Sequence, residues 1–218
     1  MDRCRMDFSR FEGFVFDLDG TLVDTFDDLR TAINLVRAGM GLEALDLETV
    51  RGNVGHGVRQ LVQKSMGVFP LDEEDRLVEE FRRYYRAHIC DRSRLYPNVR
   101  STLEALSDRH LAVLSNKPHD ACVELLDRLG VSGMFEMVRG QDDLFPAKPD
   151  PTCLLHIVSE VFHTVPQRAL MVGDFDTDVH TARNAGVPCA IVRTGMSHLL
   201  SVQPDCYIND ISDLSGQA

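Results

Sequence analysis

No two cysteines of this 218-residue chain stand in a C-x-x-C pair, although six occur, at Cys4, Cys90, Cys122, Cys153, Cys189 and Cys206. No short-spaced histidine joins them, which argues against a zinc site. Scattered cysteines in a chain of this length read as buried or incidental thiols of a reducing compartment. Long apolar runs are also missing: none approaches the roughly 20 residues that a membrane span needs. Met1 to Arg10 carries charges with no apolar stretch behind them, so no secretory signal is expected and the cytoplasm is the expected location. Positive charge is in short supply. The chain has 23 Lys+Arg against 34 Asp+Glu, a formal net charge of −11. That balance argues against sequence-independent nucleic-acid binding, which needs clustered cations, and against docking on an anionic membrane. At first sight it disfavours a phosphorylated substrate as well.

Core-forming material is ample. The apolar fraction is 44% and the charged fraction 26%, ordinary values for a globular chain, and a chain of this size buries roughly 70% of its unfolded surface. Short apolar runs recur at Phe14–Phe16, Leu111–Leu114, Ala169–Val172, Cys189–Val192 and Cys206–Ile208, with a weaker one at Met137–Val138. They read as buried strands. Helical patterns lie between them, at Ala121–Leu129 before Gly130, Pro151–Phe162, and Asp178–Ala185 before Gly186. Alternation of this kind predicts an α/β fold, a Rossmann-like doubly wound parallel sheet. One interruption separates the first two strands. From Asp24 to Tyr96 only helices are expected. One opens at Thr25-Phe26-Asp27-Asp28, which resembles a capping box. A second runs over Val58–Met66. A third covers Asp72–His88, with acids at its start, Arg82, Arg83 and Arg86 near its end, and a stripe of Leu77, Phe81, Tyr84 and His88. The predicted organisation is an α/β core of residues 1–23 and 97–218 with a helical subdomain, residues 24–96, inserted after the first strand.

Four segments stand at the carboxyl ends of predicted strands, where open α/β sheets place ligands. In Asp17-Leu18-Asp19-Gly20, two carboxylates two residues apart on a strand end point the same way. Ionised together, they repel unless a cation or a shared proton relieves them. A calcium loop would need a third ligand where Thr21 stands and a glutamate where Asp28 stands, so that reading is rejected. Ser115-Asn116-Lys117 offers a hydroxyl, and a helix after it would aim free N–H groups at an anion; a helix cap is the blander account. Lys148 is held beside Pro149, although a surface lysine is the commoner case. Asp174, Asp176 and Asp178 follow Gly173 as a plausible hard-cation site, or as an acid-rich helix start.

Taken in order, these segments resemble the haloacid dehalogenase superfamily of phosphohydrolases. The run Phe16 to Thr25 matches the family's first motif, Ser115-Asn116 its second, Lys148-Pro149 its third and Gly173-Asp174 with Asp178 its fourth. The likeness covers nearly the whole chain, and the insert sits where the subgroup with a helical cap carries it. Val54 to Val58 and the Ser115-Asn116-Lys117 triplet are most similar to the phosphoglycolate phosphatase branch. The resemblance implies Asp17 as nucleophile forming an aspartyl phosphate, and Asp19 as general acid and then base. Mg²⁺ would sit on Asp17, the Asp19 carbonyl and Asp174, with Asp178 binding or orienting that shell. Ser115, the Asn116 N–H and Lys148 would hold the phosphate oxygens. Asp19 favours phosphate-ester cleavage over dehalogenation. Asp176, an extra acid, reads as solvated, and the role of Lys117 stays open. In the cap, His56 between two glycines is the favoured contact to an anionic leaving group, whereas Arg59 and Lys64 read first as solvated.

The implied substrate is a small phosphorylated metabolite, 2-phosphoglycolate first. A pyrophosphatase, a nucleotide or sugar-phosphate phosphatase and a phosphosugar mutase are alternatives on the same fold. A signalling receiver or an inactive binding relative is the alternative from another class, and oligomeric state is left open. The resemblance also changes the meaning of the acidity. Three carboxylates, one Mg²⁺ and Lys148 sum to about zero if Asp19 is protonated, so part of the negative charge serves the metal.

Overall fold

The run Gly13–Phe16 forms β1, buried along its whole length. In the computed structural model, which describes residues 6–216, the chain next makes a tight loop and a two-residue strand, β2 (Val23–Asp24). Four helices follow: α1 (Phe26–Gly39), α2 (Leu47–Asn53), α3 (Val58–Met66) and α4 (Leu71–Ala87). A second two-residue strand, β3 (Arg94–Leu95), returns antiparallel against β2. The rest alternates: α5 (Val99–Ala105), β4 (His110–Pro118), α6 (His119–Arg128), β5 (Met137–Gln141), α7 (Thr152–His156), β6 (Ala169–Gly173), α8 (Asp176–Ala185), β7 (Cys189–Val192) and β8 (Cys206–Ile208).

Six strands build one sheet in the order β5-β4-β1-β6-β7-β8, every pair parallel. Side chains alternate between its faces, as the pleat requires. Phe14, Phe16, Leu111, Val113, Leu170 and Val172 enter one apolar cluster with α5, α6 and the α1–α4 helices. Val15, Ala112, Leu114, Met171 and Ile191 enter the other, with α7 and α8. The chain leaves β1 toward β4 and β5, then crosses to β6 on the other side. The crevice between the ends of β1 and β6 is therefore the point where the winding reverses.

Several expectations need correction. Residues 24–96 are not purely helical, because β2 and β3 clasp the base of the insert. They are too short to leave a periodic pattern. Thr25 makes no side-chain cap at α1; its hydroxyl donates to Asp19 instead. The Asp28 carboxylate accepts from the backbone N–H groups of Arg92 and Ser93 and from the Ser93 hydroxyl, tying α1 to the returning chain. On α4 the buried stripe is Leu77, Phe81 and Tyr85 rather than Tyr84, because the contact line advances in steps of four. The stretch after α7 widens into a π-helical turn over Ile157–Val161, and α5 left no signal that we read. Cys90, Cys122, Cys153 and Cys189 are free thiols, but Cys206 is disulfide-bonded, against expectation. Cys4 and the beginning of the Met1–Arg10 segment lie outside the described residues. Among the described residues no helix is long and apolar enough to cross a membrane.

Candidate active site

The loop leaving β1 winds around one carbonyl. Leu18 C=O accepts from the N–H groups of Thr21, Leu22 and Val23, at 3.0–3.3 Å. Gly20 turns with φ +88°, and a Cβ there would fall within contact distance of the Asp174 carboxylate. Asp17 and Asp19 consequently line the same cavity.

Asp174 follows β6 and is fully buried. Its Oδ1 accepts from the Thr21 hydroxyl at 3.1 Å and its Oδ2 from the Met196 N–H at 2.6 Å. Asp178, in the first turn of α8, has two tasks. Oδ2 accepts from the N–H groups of Asp174 and Phe175, both at 3.1 Å, and so caps the helix. Oδ1 meets Lys148 Nζ at 2.6 Å. Lys148 also lies 2.9 Å from Asp17 Oδ1, a charge contact outside hydrogen-bond geometry for that sealed oxygen. Asp178 thus belongs both to the acid-rich helix start and to the charge cluster.

Asp17, Asp174 and Asp178 offer oxygens within 4.8 Å of one another. Three carboxylates against one ammonium leave a formal −2 in a buried place. Burial pushes the Asp17 carboxyl up to about 6, with Lys148 opposing and Asp178 and Asp19 adding to the rise. Burial raises Asp174 well above the carboxylate range, reinforced by Asp17 and Asp178. For Lys148, burial works against the charge, but Asp17 and Asp178 outweigh it and hold the ammonium firmly protonated. Hard oxygen donors, excess negative charge and a cradle walled by Gly20 and Gly195 fit a divalent hard cation such as Mg²⁺.

The second and third motifs are tied together by one side chain. Asn116 Oδ1 accepts from Lys148 N–H at 2.8 Å, and Nδ2 donates to Lys148 C=O at 3.0 Å and to Gly55 C=O at 3.1 Å. The amide clamps the Lys148 loop and reaches the insert at once. Ser115 is buried on the cavity wall. Residues 115–118 continue β4 rather than open a helix, and α6 starts only at His119 after Pro118, which has no N–H. Lys117 pairs with Asp19 at 2.8 Å and sits 4.4 Å from the Tyr85 ring centroid. Asp19 thus carries the Lys117 ammonium and the Thr25 hydroxyl, the latter at 2.7 Å.

The roof comes from the insert and one loop: Leu29, Val54, Val58, Leu61, Phe81, Tyr85 and Met196. The cavity beneath them is about 50 Å³. Gly55 and Gly57 line it, but His56 does not; its ring meets Phe175 edge-on, centroids 5.6 Å apart. Arg59 is taken by Glu74 and Asp75, and Lys64 does not line the cavity either. Asp176 is not simply solvated, because it accepts from the Ser201 N–H and hydroxyl and steadies the loop after Met196. Sequence reading missed Thr21, Thr25, Tyr85 and the Met196 N–H. Only Tyr85 had a periodic signal, one helical position from the residue chosen.

Comparison with known proteins agrees with this layout. The family model described as "Haloacid dehalogenase-like hydrolase" matches residues 14–192. A phosphoglycolate phosphatase of Aquifex aeolicus is 36% identical over 202 residues, covering 92% of this chain and 93% of that one. One from Caulobacter vibrioides is 41% identical over 189 residues, covering 83% and 78%. The crystal structure of a predicted phosphoglycolate phosphatase from Haemophilus somnus 129pt superposes with a TM-score of 0.86 at 30% identity, covering 94% and 96%.

Proposed function

The chain belongs to the haloacid dehalogenase-like hydrolases, and from that membership and its site we propose that it is a magnesium-dependent phosphatase of small phosphomonoesters, 2-phosphoglycolate first. The observation that carries this reading is Asp17 at the β1–β6 crevice, paired with Lys148 and grouped with Asp174 and Asp178 beneath an apolar roof. The substrate follows the names of the relatives and the size of the cavity.

Asp17, Asp174, Asp178 and the Asp19 carbonyl would hold the cation. When bound, it supplies charge neutralisation for the phosphoryl oxygens and the nucleophile. An Asp17 carboxylate oxygen attacks phosphorus as the ester P–O bond breaks, and Asp19 gives its proton to the departing alkoxide. Water then attacks the aspartyl phosphate, Asp19 takes the proton, and the Asp17–phosphorus bond breaks to release phosphate. Ser115, the Asn116 N–H and Lys148 hold the equatorial oxygens as their charge redistributes. Asn116 keeps Lys148 in place through both of its backbone groups. The apolar roof excludes water until the first step is complete. Substrate enters when residues 24–96, the cap in this reading, lift away. His56, turned toward Phe175, has no part in this closed arrangement.

The test is phosphate release from 2-phosphoglycolate, pyrophosphate, a nucleoside monophosphate and a hexose phosphate, with Mg²⁺ and with chelator. The reading expects Mg²⁺-dependent release, fastest with 2-phosphoglycolate, and loss of turnover in Asp17→Asn. Chelator-resistant release, or an active Asp17→Asn, counts against it.

A further inference from the structure

Besides Lys117 and Lys148, few polar groups line the cavity, and most have tasks. The Asn116 amide is consumed by Lys148 and Gly55. Lys148 is shared between Asp17 and Asp178. Ser115 lies on the phosphate side. From α1–α4 come Leu29, Val58, Leu61 and Phe81, with no charge among them, and Tyr85. Tyr85 is 4% exposed, and its hydroxyl, which the Lys117 ammonium approaches as a donor, finds no acceptor for its own proton among the described residues. A buried unsatisfied hydroxyl costs free energy, so its persistence on a cavity wall needs a reason. Its ring is held from two sides. Phe81 stacks on it with centroids 5.7 Å apart and planes within 4°, and the Lys117 ammonium sits 4.4 Å from its centroid. Lys117 has one carboxylate partner where Lys148 has two, so the cavity's less committed positive charge lies beside Tyr85. Burial also drives the phenol well above its ordinary value, with Lys117 opposing, which leaves the hydroxyl a donor at neutral pH.

We propose that the Tyr85 hydroxyl, backed by the Lys117 ammonium, reads the leaving group and selects a short alcohol that carries a carboxylate. This rests on the phosphatase reading above and specifies how that site chooses its substrate. The carboxylate accepts from the Tyr85 hydroxyl, and Lys117 supplies the complementary charge. The cavity of about 50 Å³ is far below the 300–1,000 Å³ of typical ligand pockets. A one- or two-carbon leaving group suits it. A sugar or nucleoside would bring several hydroxyls against Leu29, Val58, Leu61 and Phe81, which offer them no partner. Tyr85 makes no contact with the reacting atoms in this scheme and acts on specificity alone.

The test compares Tyr85→Phe with the wild type on 2-phosphoglycolate and ethyl phosphate, which differ by the carboxylate, in the presence of Mg²⁺. A hydrogen bond to a charged group is worth about tenfold to a hundredfold in affinity. The ratio of kcat/KM for phosphoglycolate over ethyl phosphate is expected to fall by that factor in Tyr85→Phe, carried mainly by KM. The melting temperature should change little, because the hydroxyl donates to no protein group and the ring packing is kept. A wild type that shows no preference for phosphoglycolate overturns the substrate reading and this one together. A wild type with the preference and a Tyr85→Phe variant that keeps it in full overturns this assignment alone. A variant melting several degrees lower marks the hydroxyl as structural and also counts against the proposal.

Discussion

Lys148→Met probes the electrostatic design of the site without touching a carboxylate. Lys148 is 5% exposed, with Nζ 2.9 Å from Asp17 Oδ1 and 2.6 Å from Asp178 Oδ1. Methionine keeps much of the aliphatic stem and removes the charge. Asp17, Asp174 and Asp178 are then buried together with no cation among them. Removing one partner from a buried charge cluster costs about 3–5 kcal/mol. For a chain of this size that corresponds to a melting temperature lower by roughly 10 °C. The assay is urea unfolding in chelator at pH 7.5 and pH 5, repeated with saturating Mg²⁺. The loss should be smaller at pH 5, because Asp17, with a pKa of about 6 even beside Lys148, takes up a proton there. Saturating Mg²⁺ should also return part of it, since a dication that binds only the folded chain stabilises that chain. A loss below about 0.5 kcal/mol in chelator, against the 3–5 kcal/mol expected, would refute the role of Lys148 as counter-charge. Equal losses at the two pH values would do the same.

Asp17 also sets a pH dependence of its own. Its folded pKa of about 6 lies above the ordinary 3.8, so the folded state binds the extra proton, and its contribution to stability is present below about pH 3.8 and lost as pH rises to about 6. In chelator, Asp17→Asn should therefore gain on the wild type through that window, by up to roughly 3 kcal/mol, and hold the gain at higher pH; a difference that is flat from pH 4 to 7 in urea titrations contradicts the sign. Asn116→Ala strands the Lys148 N–H and releases the Gly55 carbonyl, so unfolding should cost about 2 kcal/mol less than in wild type, with kcat reduced as Lys148 loses its clamp. Asp28→Ala removes the acceptor of the Arg92 and Ser93 N–H groups. It should destabilise by about 3 kcal/mol, read by calorimetry, and amide exchange should quicken first at residues 92 and 93.

Much of the core was legible because parallel strands buried on both faces leave short, dense apolar runs. Phe14–Phe16 and Ala169–Val172 needed little more than that pattern and the acids after them. Asp17 and Asp174 stood where such strands end, and Lys148 reaches Asp17 from the loop after β5. What escaped was whatever depends on a partner distant in sequence. Thr25 and Asp28 have the spacing of a capping box, yet Asp19 and Ser93 offer their side chains better-placed bonds. Asp176 fits a solvated helix start until Ser201, 25 residues later, meets it. Met196 contributes a backbone N–H to Asp174, a group that every residue but proline carries. On α4, charged residues surround a narrow buried line, so Tyr84 and Tyr85 were near-equivalent in pattern, and packing chose Tyr85.

In the proposed mechanism Asp17 carries the phosphoryl group during turnover. Quenching the Mg²⁺-loaded enzyme while it turns over 2-phosphoglycolate, reducing with borohydride and mapping peptides by mass spectrometry would detect that group. An aspartyl phosphate is reduced to homoserine, so residue 17 should convert in Mg²⁺ and remain aspartate in chelator. The signal should grow in Asp19→Asn, where the second step lacks its base. Steady release of phosphate with residue 17 unmodified throughout would contradict the account.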